Sequence, residues 1–95
     1  MTNFINTKYG KITFGKMYRV EMVPVSRSVR TPLPHFLVVA EGKFRKYECG
    51  TIVVILGQGG FMYAPKDWSS WRALFPDGVI GDFSVAPDRL FEVTQ

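Results

Sequence analysis

The chain has 95 residues, enough for one domain with a single modest core. Its apolar fraction of 46% and aromatic fraction of 15% exclude an intrinsically disordered chain, which has few aromatic residues. The longest apolar runs, FLVVA and IVVIL, fall far below the roughly 20 residues that a membrane span needs. The net charge is +4, with nine basic and three acidic residues in 1–48 against three and five in 49–95. If the two halves occupy different faces, the domain has one basic side; an ordinary solvated surface is the alternative.

The N-terminal residues, MTNFINTKYG, lack a cationic start followed by an apolar block, so we expect no signal peptide. Cys49 is the single cysteine and cannot form an internal disulfide, which is typical of a reducing compartment. We therefore expect a cytoplasmic protein with no membrane segment. Residues 1–10 are predicted to form a flexible arm, and residues 11–95 one domain.

Alternating polarity predicts the first strands. In KMYRVEMV, the residues Tyr18, Val20 and Met22 fall on one face, as in a half-buried strand. FLVVA is apolar on both faces, so we expect this strand to be central or covered. TIVVILG is rich in β-branched residues and is the strongest strand signal in the chain.

A polar strand follows FLVVA after a turn at residues 41 and 42. Its sequence is KFRKYE, and its alternation is interpreted with Lys43, Arg45 and Tyr47 facing outward and Phe44 facing the core. A strand of this composition is twisted and suited to the edge of a sheet.

Helical periodicity is confined to KDWSSWRALF, where Trp68, Trp71 and Phe75 recur at positions i, i+3 and i+7. Asp67 is a plausible N-cap, so we predict a short helical insert at about 67–75. We favour a core role for both tryptophans. PDRL near the C-terminus predicts a single helical turn, because proline suits the first position of a helix.

The second half of the chain, GTIVVILGQGGFMY followed by PDGVIGDFSVAPDRLFEV, is similar to the second half of an SH3-like (KOW/Tudor-like) barrel. In that superfold a hairpin leads to a glycine-bearing strand, a one-turn helix and a short closing strand. Gly81, residues 87–90 and residues 91–93 are the counterparts here, and the connection 24–35 matches the long loop after the first strand.

The resemblance extends over residues 15–93 and implies a mostly β fold. We expect a small SH3-like barrel of five to six short antiparallel strands, with one short helical insert and a one-turn helix before the last strand. Barrels of this class bind proteins, RNA or DNA, so the resemblance implies no single function.

Residue types for catalysis and metal binding are sparse. The GQGG at residues 57–60 is explained better by a hairpin turn than by a dinucleotide-binding fingerprint. One histidine and one cysteine make no metal cluster. A nucleophilic pair of Cys49 and His35 is less favoured than a buried Cys49. We expect no enzymatic activity, no cofactor and no metal.

Basic and aromatic residues are interleaved in KFRKY, a mixture that suits nucleic acids because cations contact phosphates and rings stack on bases. We predict that Lys43, Arg45 and Lys46 contact phosphates and that Tyr47 stacks. The structural alternative is that Phe44 belongs to the core and the lysines protect a sheet edge from aggregation.

The loop VPVSRSVRTPLPHF contains three prolines, which restrict φ and make the segment stiffer than its length suggests. A stiff loop can present Arg27 and Arg30 to a phosphate or a carboxylate. Solvated arginines on a long hairpin are the alternative.

The function predicted first is a non-enzymatic domain that binds nucleic acid, either DNA or RNA, through a basic face. The alternative is a small inhibitor or adaptor that binds an acidic protein surface, of the kind found among phage-encoded host-takeover factors. It would use the loop 24–35 together with Trp68, Trp71 and Arg72, since tryptophan and arginine dominate protein interfaces. A more remote third function is an accessory subunit of a larger assembly.

Overall fold

The computed structural model describes residues 3–7, 10–21, 35–60, 69–85 and 89–93. This part of the chain contains nine β-strands and no α-helix, which confirms the mostly β fold. The strands are β1 (Phe4–Thr7), β2 (Gly10–Thr13), β3 (Met17–Val20), β4 (His35–Ala40), β5 (Lys43–Glu48), β6 (Ile52–Gln58), β7 (Ser69–Leu74), β8 (Ile80–Val85) and β9 (Leu90–Glu92).

The strands form two antiparallel sheets. β1 and β2 pair with each other in a small separate sheet, so Phe4–Thr7 of the expected arm is a strand. The other seven strands form one sheet in the order β5-β4-β8-β7-β6-β3-β9. Within the described residues this sheet is open, with β5 and β9 at its edges.

The two halves of the sequence interleave in the large sheet. β3 comes from the basic half, yet it lies between β6 and β9 and is separated from β4 by three strands. At about 4.8 Å a strand, this separation is on the order of 19 Å. Arg19 of β3 and the preceding Lys16 therefore lie apart from the basic residues of β5, which is one strand beyond β4.

The core lies on one face of the large sheet, which we call the inner face. Alternate residues of β3, β4, β6, β7 and β8 are buried there, and Ile12 of β2 packs into the same cluster. The burial of Tyr18 and Val20 confirms the alternation predicted for KMYRVEMV. The largest fully buried side chains are Trp71, Tyr18, Phe83, Ile55, Val20, Val38, Val53 and Val85.

The predicted helix at about 67–75 is wrong where the structure describes it, because Ser69–Leu74 is strand β7. Trp71, Ala73 and Phe75 are buried, and the residues between them face the other way. This is a period of two, which two paired neighbours stabilise: β6 on one side and β8 on the other. Pairing on both sides overrides the weak helical spacing of the three aromatic residues. Asp67 and Trp68 lie outside the described residues.

The turn from β4 to β5 is a two-residue hairpin. Glu41 and Gly42 both have positive φ, at 53° and 74°, as in a type I′ turn, whose twist matches that of the strands it joins. The turn pairs Ala40 with Lys43 and sets the register of the whole hairpin, through to His35 opposite Glu48.

Two further predictions concern a one-turn helix near the C-terminus and the absence of a membrane segment, and the structure addresses each only in part. Of the one-turn helix predicted at 87–90, residues 87 and 88 lie outside the described residues, and Leu90 begins β9. In the ranges that the structure describes, no helix is long and apolar enough to cross a membrane.

Candidate nucleic-acid interface

The side chains of β5 face opposite to the predicted directions. Residues directly opposite each other in an antiparallel pair share a face, and Arg45 lies opposite the buried Val38. Lys43, Arg45 and Tyr47 are therefore on the inner face, while Phe44 is on the outer face. Because β5 is an edge strand, the inner face is open to solvent there, and Lys43 and Arg45 are exposed.

Phe44 is the aromatic residue that the sequence interpretation missed. Its side chain is 70% exposed, although we assigned it to the core. The signal that could have found it is the two-residue turn at Glu41, since Ala40 opposite Lys43 fixes the face of every residue in β5. At this exposure, most of the Phe44 ring is open to solvent.

The cations of β5 differ from the other described cations in their contacts. Among the described residues, Lys43, Arg45 and Lys46 take part in none of the ion pairs. The pairs that do form are Lys16 with Glu92 at 3.0 Å, Arg19 with Glu21 at 2.8 Å and Arg72 with Asp82 at 3.0 Å. Lys11 lies over the ring of Phe4, with Nζ 4.7 Å from its centroid.

These contacts have an electrostatic consequence. The hydrogen bond to Glu92 raises the pKa of Lys16, and that to Asp82 raises the pKa of Arg72. Each cation is held in its charged form beside a carboxylate, so the pair presents little net charge to a ligand. Among the described residues, Lys43, Arg45 and Lys46 are three cations close together on one strand without an ion pair, and we call them the cationic strip. Glu41 and Glu48 lie at its two ends.

Tyr47 is held in place by contacts with other residues and is not a freely solvated side chain. Its ring stacks on Phe75 with centroids 4.2 Å apart, and its hydroxyl donates a hydrogen bond to Asp77 Oδ2 at 2.9 Å. Burial, followed by the hydrogen bond and the negative charge of Asp77, raises the pKa of Tyr47 above its usual 10.0, and the charge of Arg45 opposes this. One face of the ring is already occupied, which leaves Phe44 as the better stacking residue.

The raised pKa of Tyr47 makes stability depend on pH at the alkaline end. The neutral phenol stabilises the folded protein below pH 10.0, and this contribution is lost as the pH rises through the higher folded-state pKa. We expect Tyr47→Phe to lower the free energy of unfolding at neutral pH by about 0.5–1.5 kcal/mol, through the lost hydrogen bond. Above pH 10.0 we expect the difference between the variant and the natural protein to shrink. Urea unfolding across this range measures both effects.

Asp77→Asn is the matched control for this titration, because it keeps an acceptor oxygen and removes the charge. Ultraviolet absorbance of tyrosinate should show a lower pKa for Tyr47 in this variant. An unchanged titration would contradict the role given to the carboxylate of Asp77.

The other predicted site residues fall into two groups. Arg27, Arg30 and Trp68 lie outside the described residues. Trp71 is 1% exposed in the centre of the core, as the favoured interpretation has it, and Arg72 holds Asp82 on the outer face. The structure thus gathers Lys43, Arg45, Lys46 and Tyr47 on one strand and places Trp71 and Arg72 on another.

In the part of the chain that the structure describes, no three residues of the histidine, cysteine, aspartate or glutamate type come together as metal ligands would. Comparison with known proteins gives no further guide, since no family model, no curated protein and no solved structure matches the chain.

Proposed function

We propose that this protein is a non-enzymatic, cytoplasmic binding domain that contacts nucleic acid through β5, with a preference for single strands. The observation that carries the proposal is the exposed Phe44 between Lys43, Arg45 and Lys46 on an edge strand. We retain the SH3-like barrel as the fold relationship that fits such a small β-rich domain.

The chemistry of β5 supports this ligand class. A stacked base is attracted to a ring with no sequence requirement, and this is worth about 1–3 kcal/mol per base. Lys46 lies on the same face of β5 as Phe44, while Lys43 and Arg45 are exposed on the opposite face of this edge strand. A backbone that runs along β5 can meet cations on both sides while a base covers Phe44. Bases in a duplex are already stacked and paired, so a single strand makes this contact at lower cost.

Salt dependence tests the proposal. We expect a labelled oligothymidylate of about 15 nucleotides to bind more tightly than a duplex, and to weaken between about 50 and 200 mM salt. In the triple variant Lys43→Ala, Arg45→Ala and Lys46→Ala, the slope of log K against log salt should fall by about 2 units, at about 0.7 per single-strand contact. Phe44→Ala should weaken binding about tenfold or more and leave the slope unchanged.

The controls match each change. Lys16→Ala, Arg19→Ala and Arg72→Ala together remove the same charge, but from cations that already hold a carboxylate. Phe4→Ala removes a ring that is 37% exposed on the small sheet. Equal losses of oligothymidylate affinity in the two triple variants would show that only net charge matters and would overturn the site on β5.

An acidic protein surface is the competing class of ligand, and the same experiments can reveal it. If no oligonucleotide binds at low salt while the protein stays folded, capture from nuclease-treated and untreated lysate should be compared. A partner that survives nuclease treatment would favour the inhibitor or adaptor function, with Arg27, Arg30 and Trp68 as its residues. Both results would be interpreted in the same way whether or not the protein is a phage-encoded factor.

A further inference from the structure

The outer face of the large sheet carries a continuous row of apolar side chains. Met17 lies opposite Val54, Val54 opposite Leu74, and Leu74 opposite Ile80. These four residues stand side by side across β3, β6, β7 and β8, at the spacing at which cross-strand side chains touch. Ile80 is 54% exposed. We call this row the outer apolar row.

The row continues into a depression and onto the edge strand β9. A shallow cavity of about 340 Å³ is lined by Met17, Ile52, Val54 and Leu74 together with Pro76 at the end of β7. In the next row Ile52 lies opposite Arg19, and Arg19 opposite Phe91. An antiparallel sheet with one solvated face normally alternates apolar and polar residues. On β6 this alternation fails, since both faces are apolar.

The cations of β3 and β7 on this face are paired with carboxylates of the same chain. Arg19 holds Glu21 and stacks its guanidinium 5.5 Å from the ring centroid of Phe91. Arg72 holds Asp82, with Nε 3.0 Å from Oδ1. A phosphate backbone or an acidic protein finds no free cation on these strands, whereas two such neutral faces do not repel each other.

The size of the face decides what can cover it. The five strands β3, β6, β7, β8 and β9, at about 4.8 Å a strand and about 3.3 Å a residue, give about 400–500 Å² of projected area in one copy. Two copies bury about 800–1,000 Å², which is the size of weak, transient interfaces. A two-fold pair is also the commonest arrangement of identical chains.

We propose that the outer apolar row is the interface of a weak homodimer, in which two copies pack their outer sheet faces against each other about a two-fold axis. β5 is separated from β8 by one strand and lies at the margin of this interface. Lys43 and Arg45 are on the inner face, and Phe44 and Lys46, although on the outer face, lie two strands beyond Ile80. The dimer therefore leaves β5 accessible, and the proposal does not depend on the function assigned to β5.

Sedimentation equilibrium over a range of concentrations, from low micromolar to near millimolar, tests the dimer. We expect the mass to rise from one chain of 10.8 kDa toward two. Ile80→Glu should raise the dissociation constant at least tenfold, because the charge must be desolvated in both copies. Leu37→Glu is the matched control: Leu37 is 49% exposed on β4, outside the row, and should dimerise nearly as the natural protein does.

Circular dichroism shows whether each variant is folded. If Ile80→Glu does not fold, Ile80→Thr replaces it, since threonine keeps the β-branched shape and still places a hydroxyl in the interface. A natural protein that stays monomeric at every concentration overturns the proposal. So does a dimer that persists unchanged in the folded Ile80 variant, or one that Leu37→Glu disrupts equally, because the interface then lies elsewhere.

Discussion

Trp71→Ala is expected to lower the free energy of unfolding by about 3–5 kcal/mol, which is the range for removing a buried aromatic side chain. Trp71 is the largest fully buried side chain and lies in the middle of β7, with β6 and β8 on either side. Its loss leaves a cavity that the paired strands cannot close. Since small domains are stable by about 5–15 kcal/mol, urea unfolding at low temperature is the suitable measurement.

Arg72→Ala provides the comparison one residue away. Its guanidinium is exposed and pairs with Asp82 at the surface, so we expect a loss of no more than about 1 kcal/mol. In the alternative inhibitor or adaptor function, both residues would contribute to one binding surface. Similar small losses for the two variants would mean that Trp71 is not the centre of the core. If Trp71→Ala does not fold at all, Trp71→Phe, which keeps a ring, should be folded and less stable than the natural protein.

Gly81→Ala should be strongly destabilising although it adds a single methyl group. A Cβ at this position would lie 2.5 Å from Val38 Cγ1 and 3.1 Å from the carbonyl oxygen of Val39. Gly81 is buried in β8 where β4 passes close to it, so the sheet must shift to make room. Overpacking of this kind costs about 1–3 kcal/mol, measurable as a lower midpoint of urea unfolding.

Two further variants define the cause. Gly57→Ala is the control, since a Cβ there meets nothing within 4 Å, and we expect it to be neutral or slightly stabilising. Val38→Ala combined with Gly81→Ala removes the methyl group that clashes. The pair should then be less destabilising than the sum of the single changes. Strict additivity would contradict the proposed contact between β4 and β8.

Three strands of the large sheet were predictable from the residue pattern within each strand. KMYRVEMV, FLVVA and TIVVILG correspond to β3, β4 and β6, and the residues predicted for one face of β3 include the buried Tyr18 and Val20. Patterns of this kind depend only on neighbours in sequence, because the core selects every second residue of a strand. The same patterns contain no information on which strand pairs with which.

The segment around Trp71 shows where local patterns fail. Trp71, Ala73 and Phe75 fit a period of two, but the spacing of Trp68, Trp71 and Phe75 also fits a helix. A window of eight residues cannot separate the two periods. The choice is made by β6 and β8, which supply hydrogen bonds on both sides of β7, and this information is not local.

The candidate site was predictable in composition and not in geometry. Lys43, Arg45 and Lys46 were recognised from their interleaving with aromatic residues. The exchange of roles between Phe44 and Tyr47 depends on the hairpin register and on the stacking of Tyr47 against Phe75. Both are tertiary facts, since a ring on an edge strand is buried only if another element covers it. The charges of Lys16 and Arg72 are likewise compensated by carboxylates on other strands, those of Glu92 and Asp82.

The pairing of β3 with β9 has a kinetic consequence. Tyr18 lies opposite Glu92, so β3 gains its second neighbour, after β6, only when residues 90–92 have been made. Pairings between residues so distant in sequence form slowly, because a long loop must close before the contacts stabilise it. While β3 emerges from the ribosome, neither β6 nor β9 has been made. The apolar residues of β3 therefore have no strand to pair with at that stage. We therefore expect the sheet to be completed only once β9 has emerged, with removal of residues 90–95 leaving β3 as an exposed edge that promotes aggregation.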